Sequence, residues 1–156
     1  MKGFLLSLVV FVVFYGVLPA GASEWDCAST SGTFERSTDC TMGGEVAVSG
    51  DLTVTGKETV YSTLTAASGK RHFKITSGAH RVSLSWVRLT GGDTTSNTGN
   101  DRHGGSIHVK DVAAHLNISH CVFFNNRAGS NGGAIYAGEG QANLFFSFVR
   151  FTENKA

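Results

Sequence analysis

One hexapeptide pattern recurs three times in the C-terminal half of this chain, and it leaves few folds open. The copies are Leu84-Ser85-Trp86-Val87-Arg88-Leu89, Ile118-Ser119-His120-Cys121-Val122-Phe123 and Phe146-Ser147-Phe148-Val149-Arg150-Phe151. Each reads apolar, Ser, ring, apolar, variable, apolar. Three residues beyond the last apolar position stand Gly92, Asn126 and Asn154. A second marker keeps step with the first, because Gly104-Gly105-Ser106-Ile107 returns as Gly132-Gly133-Ala134-Ile135. The step from Ile107 to Ile135 equals the step from Phe123 to Phe151. Two independent markers with one period define a repeat, and a repeat of this length implies stacked units that bury one another.

The pattern inside a copy selects the type of unit. Apolar residues fall two apart, as in Leu116 and Ile118 or Cys121 and Phe123, which is the strand period. No stretch after the N-terminal apolar run carries an i, i+3, i+4, i+7 apolar stripe, and Leu is too sparse for a leucine-rich repeat. Parallel strands with short polar corners remain. Paired glycines allow sharp bends, and Asn tolerates left-handed backbone, so both are expected at corners. Stacking the copies predicts three columns. Phe123 lies between Leu89 and Phe151, Cys121 lies between Val87 and Val149, and Asn126 forms a side-chain ladder with Asn154. Each buried apolar side chain contributes about 1.5–3 kcal/mol, provided that a neighbouring coil covers it.

Gly-Gly-Ala-Ile followed by Phe-x-x-Asn resembles the paired repeat of the chlamydial polymorphic outer-membrane proteins. More broadly the chain is similar to secreted right-handed β-helix proteins of the pectin-lyase-like superfamily. Gly132-Gly133-Ala134-Ile135, Phe123-x-x-Asn126 and Phe151-x-x-Asn154 match fully. Gly104-Gly105-Ser106-Ile107 departs by one Ser, and Leu89-x-x-Gly92 is a degenerate copy. The resemblance covers about residues 82–156 and implies an all-β, right-handed parallel β-helix of about four coils. It implies nothing direct about activity, because its motif residues are packing residues.

Residues 1–22 read as a secretory signal peptide. Lys2 precedes the apolar run Phe4 to Leu18, Pro19 breaks it, and Ala20-Gly21-Ala22 supplies small residues before Ser23. The run is short for a bilayer span of about 20 residues, so cleavage rather than anchoring is expected, with no transmembrane segment afterwards. In an oxidising compartment Cys27 and Cys40 are expected to form a disulfide, and no His lies in residues 23–45 to favour a metal instead. Residues 23–45 are assigned as an N-terminal cap and residues 46–156 as the β-helix. The chain stops after Asn154, where another Gly-Gly would fall due; a truncated member of a longer pattern is expected, with a last coil open to self-association. Thirteen basic and twelve acidic residues nearly cancel, which argues against nucleic acid as a partner.

Candidate sites are few. Lys70, Arg71, His72 and Lys74 form a small basic cluster, expected as a solvated corner with an acidic-sugar contact as the alternative. The interval from Leu84 to Ile118 exceeds that from Ile118 to Phe146 by six, so the segment Gly92 to His103 carries the excess and should emerge as a loop on one face. Asp93 and Asp101 in it are candidate ligands for calcium, and no other cofactor is expected. Asn117-Ile118-Ser119 is a glycosylation sequon, with Asn117 outward. Asp111 and Glu139 align at the repeat spacing and are weak candidates for a catalytic carboxylate pair. His108 aligns with Tyr136, and His120 with Trp86 and Phe148, which reads as ring stacking rather than a zinc site. The expectation is therefore a secreted or cell-surface binding, adhesive or structural protein whose partner is an extracellular protein or polysaccharide. The alternative is a carbohydrate-active β-helix enzyme of lyase, hydrolase or epimerase type, or an inactive fragment of one.

Overall fold

A computed structural model describes residues 22–76, 78, 80–110, 113–138 and 142–156. The assigned signal peptide thus lies outside the described residues except for Ala22. The chain runs through β1 (Ser23–Glu24), β2 (Gly32–Arg36), β3 (Cys40–Thr41), β4 (Val46–Val48) and β5 (Leu52–Gly56). It continues with β6 (Ser62–Thr65), β7 (Phe73–Ile75), β8 (Arg81–Ser85), β9 (Val87–Thr90) and a 3-10 turn (Gly99–Arg102). The last strands are β10 (Ile107–Val109), β11 (His115–Ser119), β12 (Val122–Phe124), β13 (Ile135–Ala137), β14 (Asn143–Ser147) and β15 (Arg150–Thr152).

All described strand pairs are parallel and build three sheets: sheet A in the order β1-β2-β5-β8-β11-β14, sheet B as β15-β12-β9-β6-β3, and sheet C as β13-β10-β7-β4. Each circuit visits A, B and C in turn, so the fold is a parallel β-helix. Among the described residues there are four complete circuits, beginning at β2, β5, β8 and β11, and the expectation of about four coils is met. Segment 23–45, assigned as a cap, itself supplies β1, β2 and β3 to the ladders. Its Trp25 is fully buried and stacks on Phe73 at 5.8 Å, closing the core at that end beside the Cys27–Cys40 disulfide.

The strand period places alternate residues inward, and register then turns each inward position into a column. Val54, Leu84, Ile118 and Phe146 align in sheet A; Leu64, Leu89, Phe123 and Phe151 in sheet B; Val46, Phe73, Ile107 and Ile135 in sheet C. Phe123 is fully buried between Leu89 and Phe151, its ring 5.1 Å from that of Phe151, as expected. Cys121 is buried in step with Val87 and Val149, and desolvation pushes its thiol up to about 11. At the last coil the inward Leu144, Phe146 and Phe151 stay exposed, because no described coil covers them.

The corners obey a stricter rule than the sequence suggested. Trp86, His120 and Phe148 all take left-handed backbone (φ 57°, 49° and 52°) between sheets A and B, and their rings stack at 4.3 and 4.7 Å. Between sheets B and C the left-handed residues are Gly91, Asn125 and Glu153 (φ 75°, 50° and 57°), so the bend falls one residue before the Asn expected there. Asn126 is instead buried as a ladder rung. Its Oδ1 accepts the Gly92 N–H at 2.9 Å, while its Nδ2 donates to Leu89 O at 3.1 Å and to Asn154 Oδ1 at 2.9 Å. Asn154 repeats the motif by donating to Phe123 O at 2.9 Å.

The paired glycines divide two tasks. Gly104 and Gly132 supply positive φ (63° and 67°), whereas a Cβ on Gly105 would collide with Gly133 O in the next coil. Val60, between β5 and β6, sits in an exposed turn.

Candidate binding face on sheet C

The extra residues of the 92–103 segment fold back over the outer face of sheet C. The fastening group is Arg71, which was expected as solvated surface but is only 1% exposed. Its guanidinium pairs with Glu45 at 2.6 Å and donates to the carbonyls of Asp101 and His103. A buried Arg is tolerable when its charge is paired and its donors find acceptors, and here a carboxylate balances the charge while two backbone oxygens accept from its terminal nitrogens. Lys74 adds an ion pair to Asp101 at 2.6 Å, and this contact, with Arg71 nearby, holds the Asp101 carboxyl below its ordinary range. Thr94, fully buried, donates from Oγ1 to Arg102 O, and its N–H donates to Arg127 O in the following coil. The segment is thus held from both sides.

His72, the second member of the expected surface cluster, is also buried. Leu64 O can only accept, so Nε2 carries the proton, and Nδ1 accepts the Ser106 hydroxyl. Burial lowers His72 to about 4.

Sheet C presents Ala47, Lys74, His108 and Tyr136 in one outward row. The end of the pinned segment lays the His103 ring on Tyr136 at 4.3 Å, and His108 meets Tyr136 edge-on at 5.4 Å. His108 is thereby covered to 2% exposure, and its Nδ1 has no hydrogen-bond partner. Desolvation, reinforced by the charges of Arg71 and Lys74, lowers His108 to about 4, so it is neutral near pH 7. Asn100, His103, Lys110, Asn131, Tyr136 and Gly138 join it around a recess of about 260 Å³. On the other side of the 3-10 turn a more open hollow is lined by Glu45, Lys70, Arg71, Lys74, Ser96, Asn97, Thr98 and Asp101.

Of the other described candidate residues, Asp101 alone joins this face, in the lining of the open hollow. Asp93 accepts from the N–H and hydroxyl of Thr95 at 2.8 and 2.7 Å; burial opposes its ionisation, but these bonds and Arg127 outweigh burial and lower its pKa. Asp101 is committed to Lys74, and no group of three His, Cys, Asp or Glu side chains is gathered among the described residues. Asn117 is exposed on sheet A between Ser83 and Phe145, with Leu116 and Ile118 buried. Asp111 and Glu139 lie outside the described residues. Repeat spacing found the His108–Tyr136 register. It missed the burial of Arg71 and the assembly of Asn100, Lys110 and Asn131, although Lys74 precedes His108 by the same step that separates Leu84 from Ile118.

No described helix is long and apolar enough to cross a membrane. No curated protein and no solved structure matches the chain. The family model for the Chlamydia polymorphic membrane protein repeat matches residues 120–138, from the ring at the A–B corner through the Asn126 rung and the Gly132-Gly133 bend into β13. Over its fourth coil, this chain is similar to a chlamydial polymorphic membrane protein repeat.

Proposed function

We propose that this chain is a non-catalytic binding module displayed outside the cytosol, adhesive in character, that engages an extracellular protein or polysaccharide through sheet C and the 92–103 segment. The observation that carries the reading is the fastening of that segment. Two ion pairs to Asp101, from Lys74 and Arg71, and two guanidinium–carbonyl bonds hold an exposed excess of chain in one shape, at a corner where the following coil manages without it. A loop ordered before it meets its partner loses less entropy on binding. The repeat match, the signal-like residues 1–22 and the sequon at Asn117 support display at a surface.

The test is a screen of secreted protein on glycan and cell-surface-protein arrays, with and without calcium. Ser96→Glu and Thr98→Glu, both at exposed positions of the segment, should abolish any hit while leaving the melting transition in place. Polysaccharide turnover by the wild-type chain, or hits unaffected by either variant, would overturn the reading.

A further inference from the structure

The recess beside His108 has a chemistry of its own. Its described lining offers one ammonium, from Lys110, and no carboxylate; Lys110 has no ion-pair partner among the described residues. The amides of Asn100 and Asn131 each present a donor and an acceptor, and the Tyr136 hydroxyl does the same. At the base, a side chain that is 2% exposed keeps a ring nitrogen without a partner.

The tautomer of the neighbouring His103 narrows what can enter. The Asn131 N–H donates to His103 Nδ1 at 3.3 Å, so in the neutral ring the proton sits on Nε2. With Nδ1 accepting from the backbone and Nε2 protonated, the neutral His103 ring has no free lone pair to offer a metal ion. The recess is instead a mixed field of hydroxyl-matching groups with one cation at its edge. At about 260 Å³ it falls just below the roughly 300–1,000 Å³ typical of drug-sized ligands, which suits one ring rather than an extended chain.

We infer that this recess holds a single anionic sugar ring, of the uronate or sialate kind, with its carboxylate on Lys110, its hydroxyls on Asn100, Asn131 and Tyr136, and the covered His108 imidazole beside it. The inference rests on the binding-module reading and narrows it to one site and one ligand chemistry. The neutrality of His108 near pH 7 is consistent with it, because an uncharged imidazole beside the ring leaves Lys110 as the one cation for the carboxylate. Arg71 contributes no donor here, since its guanidinium already serves Glu45 and two carbonyls; its part is to set the height of the wall that carries His103.

Imidazole resonances of the whole secreted protein, followed by NMR, test this directly. Methyl glucuronide and the methyl glycoside of N-acetylneuraminic acid are the two anionic probes, and methyl glucoside and sodium acetate are the controls. The expected result is saturable shifts of His103 and His108 with at least one anionic sugar, the responding arm identifying uronate or sialate. Methyl glucoside and acetate should bind at least tenfold more weakly. Lys110→Ala, at an exposed position that no core contact needs, should weaken the anionic sugar at least tenfold with an unchanged circular dichroism spectrum. Absence of shifts at tens of millimolar of both probes overturns the inference, as does an equal response to methyl glucoside or to acetate. Array hits that survive Lys110→Ala without His108 shifts would sink the recess while leaving the broader module reading intact. Loss of every array hit in folded wild-type protein would count against the module itself.

Discussion

Asn126→Ala should cost far more than its size suggests. The side chain is fully buried and makes three hydrogen bonds, to the Gly92 N–H, the Leu89 carbonyl and Asn154 Oδ1. Truncation leaves two backbone groups on the preceding coil without this partner, at about 1–3 kcal/mol each, and opens a small void. The expected loss is about 3–5 kcal/mol. Asn154 is half-buried and water reaches it, so Asn154→Ala should cost about 1–2 kcal/mol although the residue type and motif position are identical. Asn126→Asp keeps an acceptor for Gly92 but loses both donations, and should be at least as damaging as Ala. Urea denaturation followed by far-ultraviolet circular dichroism, with a linear extrapolation for each variant, gives the three numbers. Equal losses for the two Ala variants, or less than about 1 kcal/mol for Asn126→Ala, would refute the ladder as a source of stability and leave Asn126 a mere corner residue.

Three further outcomes follow from the packing. Phe123→Asp should abolish folding, since an ionised carboxylate would replace a ring enclosed by Leu89 and Phe151, whereas Val122→Asp should cost less, because Val122, though only 8% exposed, lies on the outer face in register with Arg88 and Arg150, which offer a carboxylate partners; an intact melting transition for Phe123→Asp would invalidate the inward assignment. His72 has a folded value of about 4 against 6.5 for the free side chain, so the unfolded chain takes up its proton first. Stability from this group is fully present above pH 6.5 and lost as pH falls to 4, by about 3 kcal/mol; His72→Gln should reduce the pH dependence of unfolding in that window to the share that His108 contributes, and an unchanged slope would refute the assignment. Glu153→Gly relieves a left-handed backbone at a non-glycine residue and should stabilise by about 0.5–1 kcal/mol in thermal melts, with a destabilised variant as the contrary result.

The columns were legible in the sequence because each depends on one local period repeated at a fixed interval. Leu89, Phe123 and Phe151 could be aligned by counting alone. What counting missed depends on pairs with no common spacing. Arg71 reads as a corner charge until Glu45, from the preceding coil, and two carbonyls of the 92–103 segment are brought around it. Backbone sign was also hidden. Trp86, His120 and Phe148 advertise a ring position, yet nothing in a bulky aromatic signals left-handed φ; the constraint belongs to the corner and is inherited by whatever residue occupies it. The recess was half visible, in the His108–Tyr136 alignment, and half not, because His103, Asn100 and Asn131 reach it from outside the strands.

The two tryptophans stand at different heights in the coil, and this makes them separate optical reporters. Trp25 is sealed against Phe73 at the disulfide-closed end, while Trp86 rests against His120, which rests in turn on the 81%-exposed Phe148. In a molecule whose coils touch only their neighbours, loss of structure travels from the weaker end as a front rather than everywhere at once. Peeling of the final coil strips Phe148 from the stack and frees the imidazole beneath it, altering the emission of Trp86 while that of Trp25 stays fixed. Two single-tryptophan versions, with the other indole replaced by Phe, would therefore read the position of that front along the axis.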